Sequence, residues 1–221
     1  KVKIIVQYDS YGYAGARRYY ITKDYDQVNI NSPIIKDIGE VNMGTGETLV
    51  DFIQFCTKNY PAQKYSLILW NHGGGFKRPG SLQKDICWDE TSGDDALTIP
   101  EVEHALNQSG AYFDLLAMDA CLMGMLEVAY EVRNHTEIFV ASEDNVPGEG
   151  FNYQHFLENL IASPNMGPDS LARIMIDSYI SHYPFGTTLT LSAVNSLLLS
   201  TLTHEVNNLA MAIIHDNSTS K

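Results

Sequence analysis

The chain has 221 residues, of which 44% are hydrophobic, and its 27 acidic and 14 basic side chains give a formal net charge of −13. This length and composition suffice for one globular domain with a substantial core. The negative charge argues against a nucleic-acid-binding protein, which needs a basic surface, and favours a cationic substrate. Three cysteines are too few for a disulfide-stapled secreted module, and their odd number leaves at least one free thiol.

Apolar runs and helical patterns alternate from the start of the chain. Residues 2–7 lack polar alternation and predict a strand of a buried parallel sheet, covered on both faces. Residues 17–22 are rich in β-formers and predict a peripheral strand. Apolar side chains at helical spacing then predict a helix over residues 46–60, which Pro61 stops.

Further strand and helix patterns follow in the same order. Residues 65–70 predict a buried strand, and a helix begins after the Thr98 cap and ends at Gly110. Strands are predicted at 113–118, 137–141 and 187–194, with helical patterns after 118, at 151–161, at 168–183 and up to about residue 214. This alternation predicts a single domain, a three-layer α/β/α sandwich with a mainly parallel central sheet. No run approaches the roughly 18 apolar residues of a membrane span, so none is expected.

Two of the predicted strands end in residues that carry chemistry. The first is followed by NHGGG at residues 71–75, and the second by DACLMG at 119–124. In parallel sheets ligands bind outside the carboxyl ends of the strands, so His72 and Cys121 are candidates for one site. Glycines allow close backbone approach, and we expect Cys121 to lie at the start of a helix, where the helix N-terminus favours the thiolate.

A thiol and an imidazole at neighbouring strand ends can carry out nucleophilic acyl transfer. The imidazole takes the thiol proton and later protonates the leaving amine. The amides of Gly73 and Cys121 are the candidates for binding the tetrahedral oxyanion. His72 precedes Cys121 by 49 residues, which agrees with the separation of about 50 in the caspase signature.

These two motifs resemble the clostripain family of cysteine peptidases. Further similarities at residues 17–19, 42–44, 141–151 and 191–194 extend the resemblance over most of the chain. It implies a caspase-like fold, a His72–Cys121 dyad, and cleavage of protein or peptide substrates after arginine or lysine. Such a preference needs an acidic pocket, for which Asp119 and Asp144 at the strand ends are the candidates.

The resemblance also implies features of the whole protein. The family's first strand and helix and part of its C-terminal region are expected to be missing from these 221 residues. Family members are often precursors that cut themselves in the loop after the histidine. There Arg78 is a poor site because Pro79 follows it, so we predict a cut at Lys84–Asp85. A secreted or cell-envelope location in a bacterium is expected.

Less specific interpretations compete with several of these assignments. A lone cysteine such as Cys121 is more often a small buried hydrophobe, and the His-Gly-Gly-Gly motif alone also resembles the oxyanion loop of lipases, although G-x-S-x-G is missing. Asp119 could instead cap the helix after it. No histidines show metal-ligand spacing, so no catalytic metal is expected.

An acidic loop follows the histidine motif, and its simpler interpretation is a solvated surface. The alternative is a calcium site, since calcium binds several carboxylate oxygens and some clostripain-like enzymes depend on it, but no EF-hand spacing is present. The dyad itself requires no cofactor. The loop's acidic residues are Asp85, Asp89, Glu90, Asp94 and Asp95.

Two other functions remain open at this point. One is a Cys–His peptidase or acyl transferase, for example legumain-like, with a different side-chain preference. The other is a catalytically silent binding domain of the same fold. Peptides that differ only at the residue before the cut would separate the first from the basic-specific peptidase, and an arginyl or lysyl electrophile that labels Cys121 selectively would exclude the second.

Overall fold

The protein is built around a four-stranded, mainly parallel sheet. The computed structural model describes residues 1–10, 15–26, 28–76 and 86–219, with side chains to residue 216. The strand order is β4–β7–β8–β9, in which the first three strands are parallel and β9 is antiparallel to β8. These strands are β4 (Ser66–Trp70), β7 (Phe113–Asp119), β8 (Thr136–Ala141) and β9 (Ser192–Asn195).

Helices cover both faces of this sheet. The helices on one face are α1 (Gly46–Asn59), α2 (Ile99–Ser109) and α3 (Leu126–Val132), and those on the other are α4 (Tyr153–Ala162) and α5 (Pro168–His182). Each layer contributes to its own hydrophobic cluster on the sheet. The predicted α/β/α sandwich is therefore confirmed.

The central strand β7 shows why the sheet needs both layers. Leu116 and Met118 belong to the cluster on one face, whereas Leu115 and Ala117 belong to the cluster on the other, and all four are fully buried. Successive side chains of a strand point to opposite faces, so a strand covered on both sides needs a continuous apolar run. The run of apolar residues in β7 therefore explains its position in the interior of the sheet, between β4 and β8.

A second, antiparallel sheet contains the N-terminal strands. It has the order β1–β2–β3, formed by β1 (Ile5–Asp9), β2 (Ala16–Tyr20) and β3 (Ile34–Gly39). The peripheral strand predicted at 17–22 is confirmed as β2. The prediction that the first run belongs to a buried parallel sheet is wrong, because β1 pairs antiparallel with β2 and its residues alternate between partly buried and exposed.

A buried arginine attaches this second sheet to α1. Arg18 of β2 is fully buried, and its Nε donates to Gln7 Oε1 at 2.8 Å. Its guanidinium also pairs with the Asp51 carboxylate of α1 and lies over the Phe55 ring, 4.5 Å from the centroid. These contacts replace part of the water that a buried cation loses, and Arg18 Nη1 is buried without a hydrogen-bond partner among the described residues.

The last helix, α6 (Leu199–Thr219), presents much apolar surface to solvent. By length and composition the segment Ser196–Asp216, which also includes the short 3-10 helix Ser196–Leu198 before α6, qualifies as a candidate membrane span, with a mean hydropathy of 1.2. Polar side chains such as Glu205 and Asn207 lie in the middle of this segment and would be costly in lipid. One such helix is a weak indication of a span, so the absence of a span stays a prediction.

Candidate active site

The register of β4 and β7 brings the two sequence motifs to one edge of the sheet. Trp70 pairs with Asp119, and the Asn71 amide donates to the Asp119 carbonyl at 3.5 Å. His72 and Cys121 each follow this pair by two residues. The two candidate residues therefore leave neighbouring parallel strands at corresponding positions, at the carboxyl edge where such sheets bind ligands.

Gly73 packs directly against the backbone of Cys121. A Cβ atom built on Gly73 would lie 2.3 Å from the Cys121 carbonyl oxygen, 2.8 Å from the Ala120 Cβ and 2.9 Å from the Cys121 nitrogen. Only a glycine allows the chain after His72 to come so close. The structure thus brings together the histidine motif and the cysteine motif, and the first glycine of NHGGG makes the contact.

We expect Gly73→Ala to impair both activity and folding. The added methyl group would collide with backbone atoms, so one strand end must move, and overpacking of this kind costs about 1–3 kcal/mol. Peptide cleavage should fall at least about tenfold because the two reacting side chains separate. Gly167→Ala is the matched control, since a Cβ there has nothing within 4 Å. Equal kinetics and thermal midpoints for the two variants would contradict this account.

Cys121 lies in a tight turn rather than at a helix start. Leu122 has a left-handed φ of 63°, and α3 begins only at Leu126, after Met125 as N-cap. The expectation that Cys121 stands at a helix N-terminus is therefore wrong. The turn is held against the end of β8 instead, because the Leu122 amide donates to the Asp144 carbonyl at 3.1 Å and the Gly124 amide to the Ser142 carbonyl at 2.7 Å.

The Cys121 sulfur has a hydrogen-bond partner that the sequence did not reveal. The Val146 amide donates to Sγ at 3.3 Å, and the Val146 carbonyl lies 3.8 Å from the same sulfur. Both backbone groups of Val146 therefore face the sulfur and fix its position in the turn. Any residue type can supply a backbone amide, so no sequence signal marks Val146.

Asp119 is buried beside the nucleophile, with 2% of its surface exposed. Its Oδ2 accepts hydrogen bonds from the Phe151 amide at 3.0 Å and from the Tyr153 hydroxyl at 2.9 Å. Its Oδ1 is buried without a partner among the described residues. Burial raises the pKa of Asp119, although the two hydrogen bonds oppose the shift. The alternative that Asp119 caps the following helix is wrong, because its partners lie at residues 151 and 153 and α3 is preceded by Met125.

Aromatic side chains surround Asp119. The pKa of Tyr153 is raised by burial and by the neighbouring Asp119 carboxylate. Tyr179 of α5 is fully buried, its hydroxyl lacks a partner among the described residues, and burial followed by nearby charges including Asp119 raises its pKa. Gly150, with a φ of 67°, lets the chain approach the carboxylate, since a Cβ there would lie 2.5 Å from Asp119 Oδ2.

Asp144, the second predicted acid, is exposed. Its backbone amide donates to Ser142 Oγ at 3.2 Å and to Thr190 Oγ1 at 2.9 Å, and its carboxylate accepts from the Asn145 amide at 2.7 Å. Through its carbonyl it also supports the turn after Cys121. Its charge is therefore near the nucleophile turn but in solvent, unlike that of Asp119.

Comparison with known proteins identifies the family of this chain. The sequence model of the clostripain family, peptidase family C11, matches residues 1–221. The chain belongs to the clostripain family. It is 41% identical over 135 residues to the clostripain of Hathewaya histolytica, an alignment that covers 56% of this chain and 26% of that protein.

Solved structures of the clostripain family share the fold. A secreted C11 cysteine protease from Bacteroides thetaiotaomicron, solved with an irreversible peptide inhibitor, matches with a TM-score of 0.73 and 24% identity over 90% of this chain and 57% of that one. An inactive zymogen C11 protease from Parabacteroides distasonis matches with a TM-score of 0.71 and 23% identity, over 90% and 53%. The chain spans just over half the length of these two proteins. Their similarity confirms a fold consistent with the caspase-like one.

Two further predictions, the oxyanion hole and the self-cleavage site, concern Gly73 and Lys84. The amides of Gly73 and Cys121 lie at the contact described above, and Gly73 also forms an isolated antiparallel bridge with Ile86. Their oxyanion role stays a prediction. Lys84 lies outside the described residues, as does Asp85. The described chain resumes at Ile86, the first residue of β5 (Ile86–Asp89), which forms an antiparallel hairpin with β6 (Asp95–Leu97).

The alternative of a calcium site has a candidate cluster among the described residues, but with different ligands from those considered in the acidic loop. Carboxylate oxygens of Asp9, Glu40 and Asp89 lie within 4.8 Å of one another. Of the predicted acidic loop residues only Asp89 belongs to this cluster, and Asp95 instead accepts a hydrogen bond from the Asn42 side chain. Burial, followed by the charges of Glu40 and Asp89, raises the pKa of Asp9 to about 6. Asp9 Oδ1 is buried without a partner among the described residues.

Proposed function

We propose that this protein is a cysteine endopeptidase that hydrolyses peptide bonds after arginine or lysine through an acyl-enzyme on Cys121. The observation that carries the proposal is the packing of Gly73 against Cys121, which brings His72 and the nucleophile to one strand edge. Membership of a peptidase family supports it. Cysteine chemistry is also supported by the geometry of the turn, in which the Val146 amide points at the sulfur.

The proposed reaction follows from the placement of these groups. The His72 imidazole takes the proton from Cys121, and the thiolate attacks the carbonyl carbon of the substrate. The amides of Gly73 and Cys121 stabilise the resulting oxyanion. Collapse of the tetrahedral intermediate breaks the C–N bond, His72 protonates the leaving amine, and a water molecule activated by His72 then hydrolyses the thioester.

We propose that the preference for basic residues comes mainly from Asp119. Its Oδ1 is buried without a partner among the described residues, and a buried carboxylate of this kind is costly unless a cation reaches it. A guanidinium or ammonium group from the substrate would supply that cation and hydrogen bonds together. Asp144 would add attraction at the exposed rim, where water screens its charge more strongly.

Fluorogenic peptides that differ only at the residue before the cut test this specificity. We expect kcat/KM for arginine or lysine to exceed that for glutamine or leucine at least about a hundredfold, since a buried ion pair is lost with the neutral residues. A preference for neutral or acidic residues would contradict the role of Asp119. It would favour a cysteine peptidase or transferase with another specificity.

Self-processing and export are part of the same proposal. We propose that the protein is made as a precursor, that it cuts itself at Lys84–Asp85, and that it is secreted or held in the cell envelope. The neighbours described as a zymogen and as a secreted protease support this. Intact mass measurement and N-terminal sequencing should show a new terminus at Asp85. A new N-terminus at another residue of the loop would contradict cleavage at Lys84–Asp85 and would assign the cut to a different bond.

We also propose that calcium binds to the cluster of Asp9, Glu40 and Asp89. The three carboxylates offer the oxygen ligands that calcium prefers. Asp9 Oδ1, which is buried without a partner among the described residues, is available to bind the ion. The bound ion would offset the mutual repulsion of the three charges. Because Asp89 ends β5, calcium would stabilise the hairpin next to the histidine strand.

Adding calcium at neutral pH should raise the thermal midpoint of the protein by several degrees. A ligand at about 100 times its Kd stabilises the folded state by roughly 2.7 kcal/mol. The shift should disappear in Asp9→Asn, which removes one ligand charge. Glu90→Gln is the control, because Glu90 is exposed and outside the cluster. An equal shift in both variants, or none in the wild-type protein, would contradict the site.

A further inference from the structure

We propose that Trp88 is a positioning residue for the His72 imidazole. Trp88 lies on β5, beyond the loop that follows the histidine motif, and belongs to neither of the two sequence motifs. The inference rests on the proposed function of His72 as the acid–base group. It adds a residue that holds the imidazole in the orientation that the reaction requires.

The two aromatic rings are in edge-to-face contact. The ring centroids of His72 and Trp88 are 6.0 Å apart, and the ring planes make an angle of 73°. Aromatic pairs prefer this tilted arrangement at such distances. Because the His72 side chain is exposed, an indole against one side of it limits the rotamers that an unrestrained histidine would sample.

A single side-chain amide joins the backbones that carry these rings. Asn71 Oδ1 accepts a hydrogen bond from the His72 amide at 2.5 Å, and Asn71 Nδ2 donates to the Trp88 carbonyl at 3.0 Å. Both halves of the carboxamide are therefore used, one on each partner. The bridge between Gly73 and Ile86 fixes the same two segments on the other side of His72. His72 thus lies between two attachments of β5 to the histidine strand.

The Trp88 indole is also held by contacts other than the one with His72. Trp88 Nε1 donates to Asp94 Oδ1 at 3.5 Å, and the preceding residue, Cys87, has a φ of 57°. A left-handed conformation is costly for a residue other than glycine and persists where the surroundings enforce it. This backbone turn at Cys87 directs the next side chain. The ring of Trp88 therefore has a defined position that does not depend on its contact with His72.

This arrangement explains how the dyad would survive self-cleavage. β5 begins at Ile86, so a cut at Lys84–Asp85 would separate the chain between His72 and Trp88. The contacts of Asn71 and Gly73 with β5 would still hold Trp88 against the imidazole. The positioning contact is therefore expected in both the precursor and the processed protein.

Fluorescence tests the contact without relying on activity. The chain has two tryptophans, and Trp70→Phe leaves Trp88 as the only one. An imidazole in contact with an indole quenches its emission, so at one fixed pH the Trp88 emission of Trp70→Phe should be weaker than that of Trp70→Phe/His72→Gln. Equal emission from the two proteins would overturn the proposal, whatever the enzyme does.

Kinetics then test whether the contact positions His72. We expect Trp88→Ala to lower kcat about tenfold with KM changed less than about twofold, because the substrate still binds while the imidazole is misplaced. Trp88→Phe should restore most of kcat, since it keeps an aromatic ring. Trp70→Phe, whose side chain is 54% exposed, is the matched control. An unchanged kcat in Trp88→Ala would refute positioning while leaving the peptidase proposal intact.

Discussion

Cys121→Ala is expected to abolish peptide cleavage and self-cleavage together. Without the sulfur no acyl-enzyme can form, and direct attack of water on the substrate carbonyl, assisted by the remaining groups, is a far slower route. We expect kcat/KM for an arginyl peptide to fall by more than about 10⁴-fold, as is usual when a covalent nucleophile is removed. The same preparation should show a single uncut chain by intact mass.

Cys56→Ala is the matched control for loss of a thiol. Burial raises the pKa of Cys56 to about 11, so this side chain on α1 stays a thiol at neutral pH and is a poor nucleophile. We expect its kcat/KM to stay within about twofold of the wild-type value. Residual self-cleavage in Cys121→Ala would show that another protease makes the cut, and residual peptide hydrolysis would contradict the assignment of the nucleophile.

Asp119→Asn should remove the preference for basic residues while leaving the fold intact. An asparagine can still accept hydrogen bonds from the Phe151 amide and the Tyr153 hydroxyl, so the local structure is retained. The charge that would meet the substrate cation is lost. We expect kcat/KM for arginine and lysine peptides to fall about 10²- to 10⁴-fold, with much smaller changes for neutral peptides.

The matched variant Asp144→Asn separates the two predicted acids. Asp144 is exposed, and its structural contacts with Leu122, Ser142 and Thr190 use its backbone. We therefore expect a loss of less than about tenfold for basic peptides. A large loss of kcat/KM in Asp144→Asn with little change in Asp119→Asn would show that Asp144, and not Asp119, determines the preference for basic residues.

The stability of Asp119→Asn gives an independent check through pH. The pKa of Asp119 is raised in the folded protein, so folding favours its protonated form. Its contribution to the free energy of unfolding is therefore present at low pH and is lost as the pH rises through the raised pKa. Asp119→Asn should melt above the wild-type protein at pH 7, and the difference should shrink as the pH falls towards 4. A difference in melting temperature that does not change with pH would contradict the presence of a buried, ionised Asp119 carboxylate at pH 7.

Much of the fold followed from periodicity, but pairing partners did not. The apolar residues 115–118 of β7 require cover on both faces, and this run was predicted correctly as a strand of the sheet. The run at residues 2–7 looks similar in sequence, yet β1 pairs with β2 in a separate sheet. Local composition reports burial and strand formation, whereas the choice of partner depends on contacts between distant segments.

The candidate site was predictable where it depends on strand ends. Chain order placed His72 and Cys121 after two parallel strands, and the register of β4 and β7 brings those ends together. The predicted helix at Cys121 failed because Leu122 takes a left-handed conformation that apolar spacing does not reveal. The partner of the sulfur is a backbone amide at Val146, which no side-chain pattern encodes.

The residues around His72 and the acidic cluster were beyond sequence reasoning for another reason. Trp88 reaches His72 through the attachment of β5 to the histidine strand, on the far side of a long loop. Asp9 and Glu40 join Asp89 from positions about 80 and 50 residues earlier, so no spacing rule finds them. Both groupings arise from tertiary packing between segments whose local patterns say nothing about each other.

Selective modification of Cys121 tests the central claim most directly, because it reports whether a thiol and an imidazole act on one bound substrate. The protein should be treated with an arginyl chloromethyl ketone and mapped by mass spectrometry. The account predicts labelling of Cys121 alone, with Cys56 and Cys87 spared, and a rate at least about a hundredfold lower in His72→Ala. Equal labelling of the three cysteines, or a rate indifferent to His72, would contradict it.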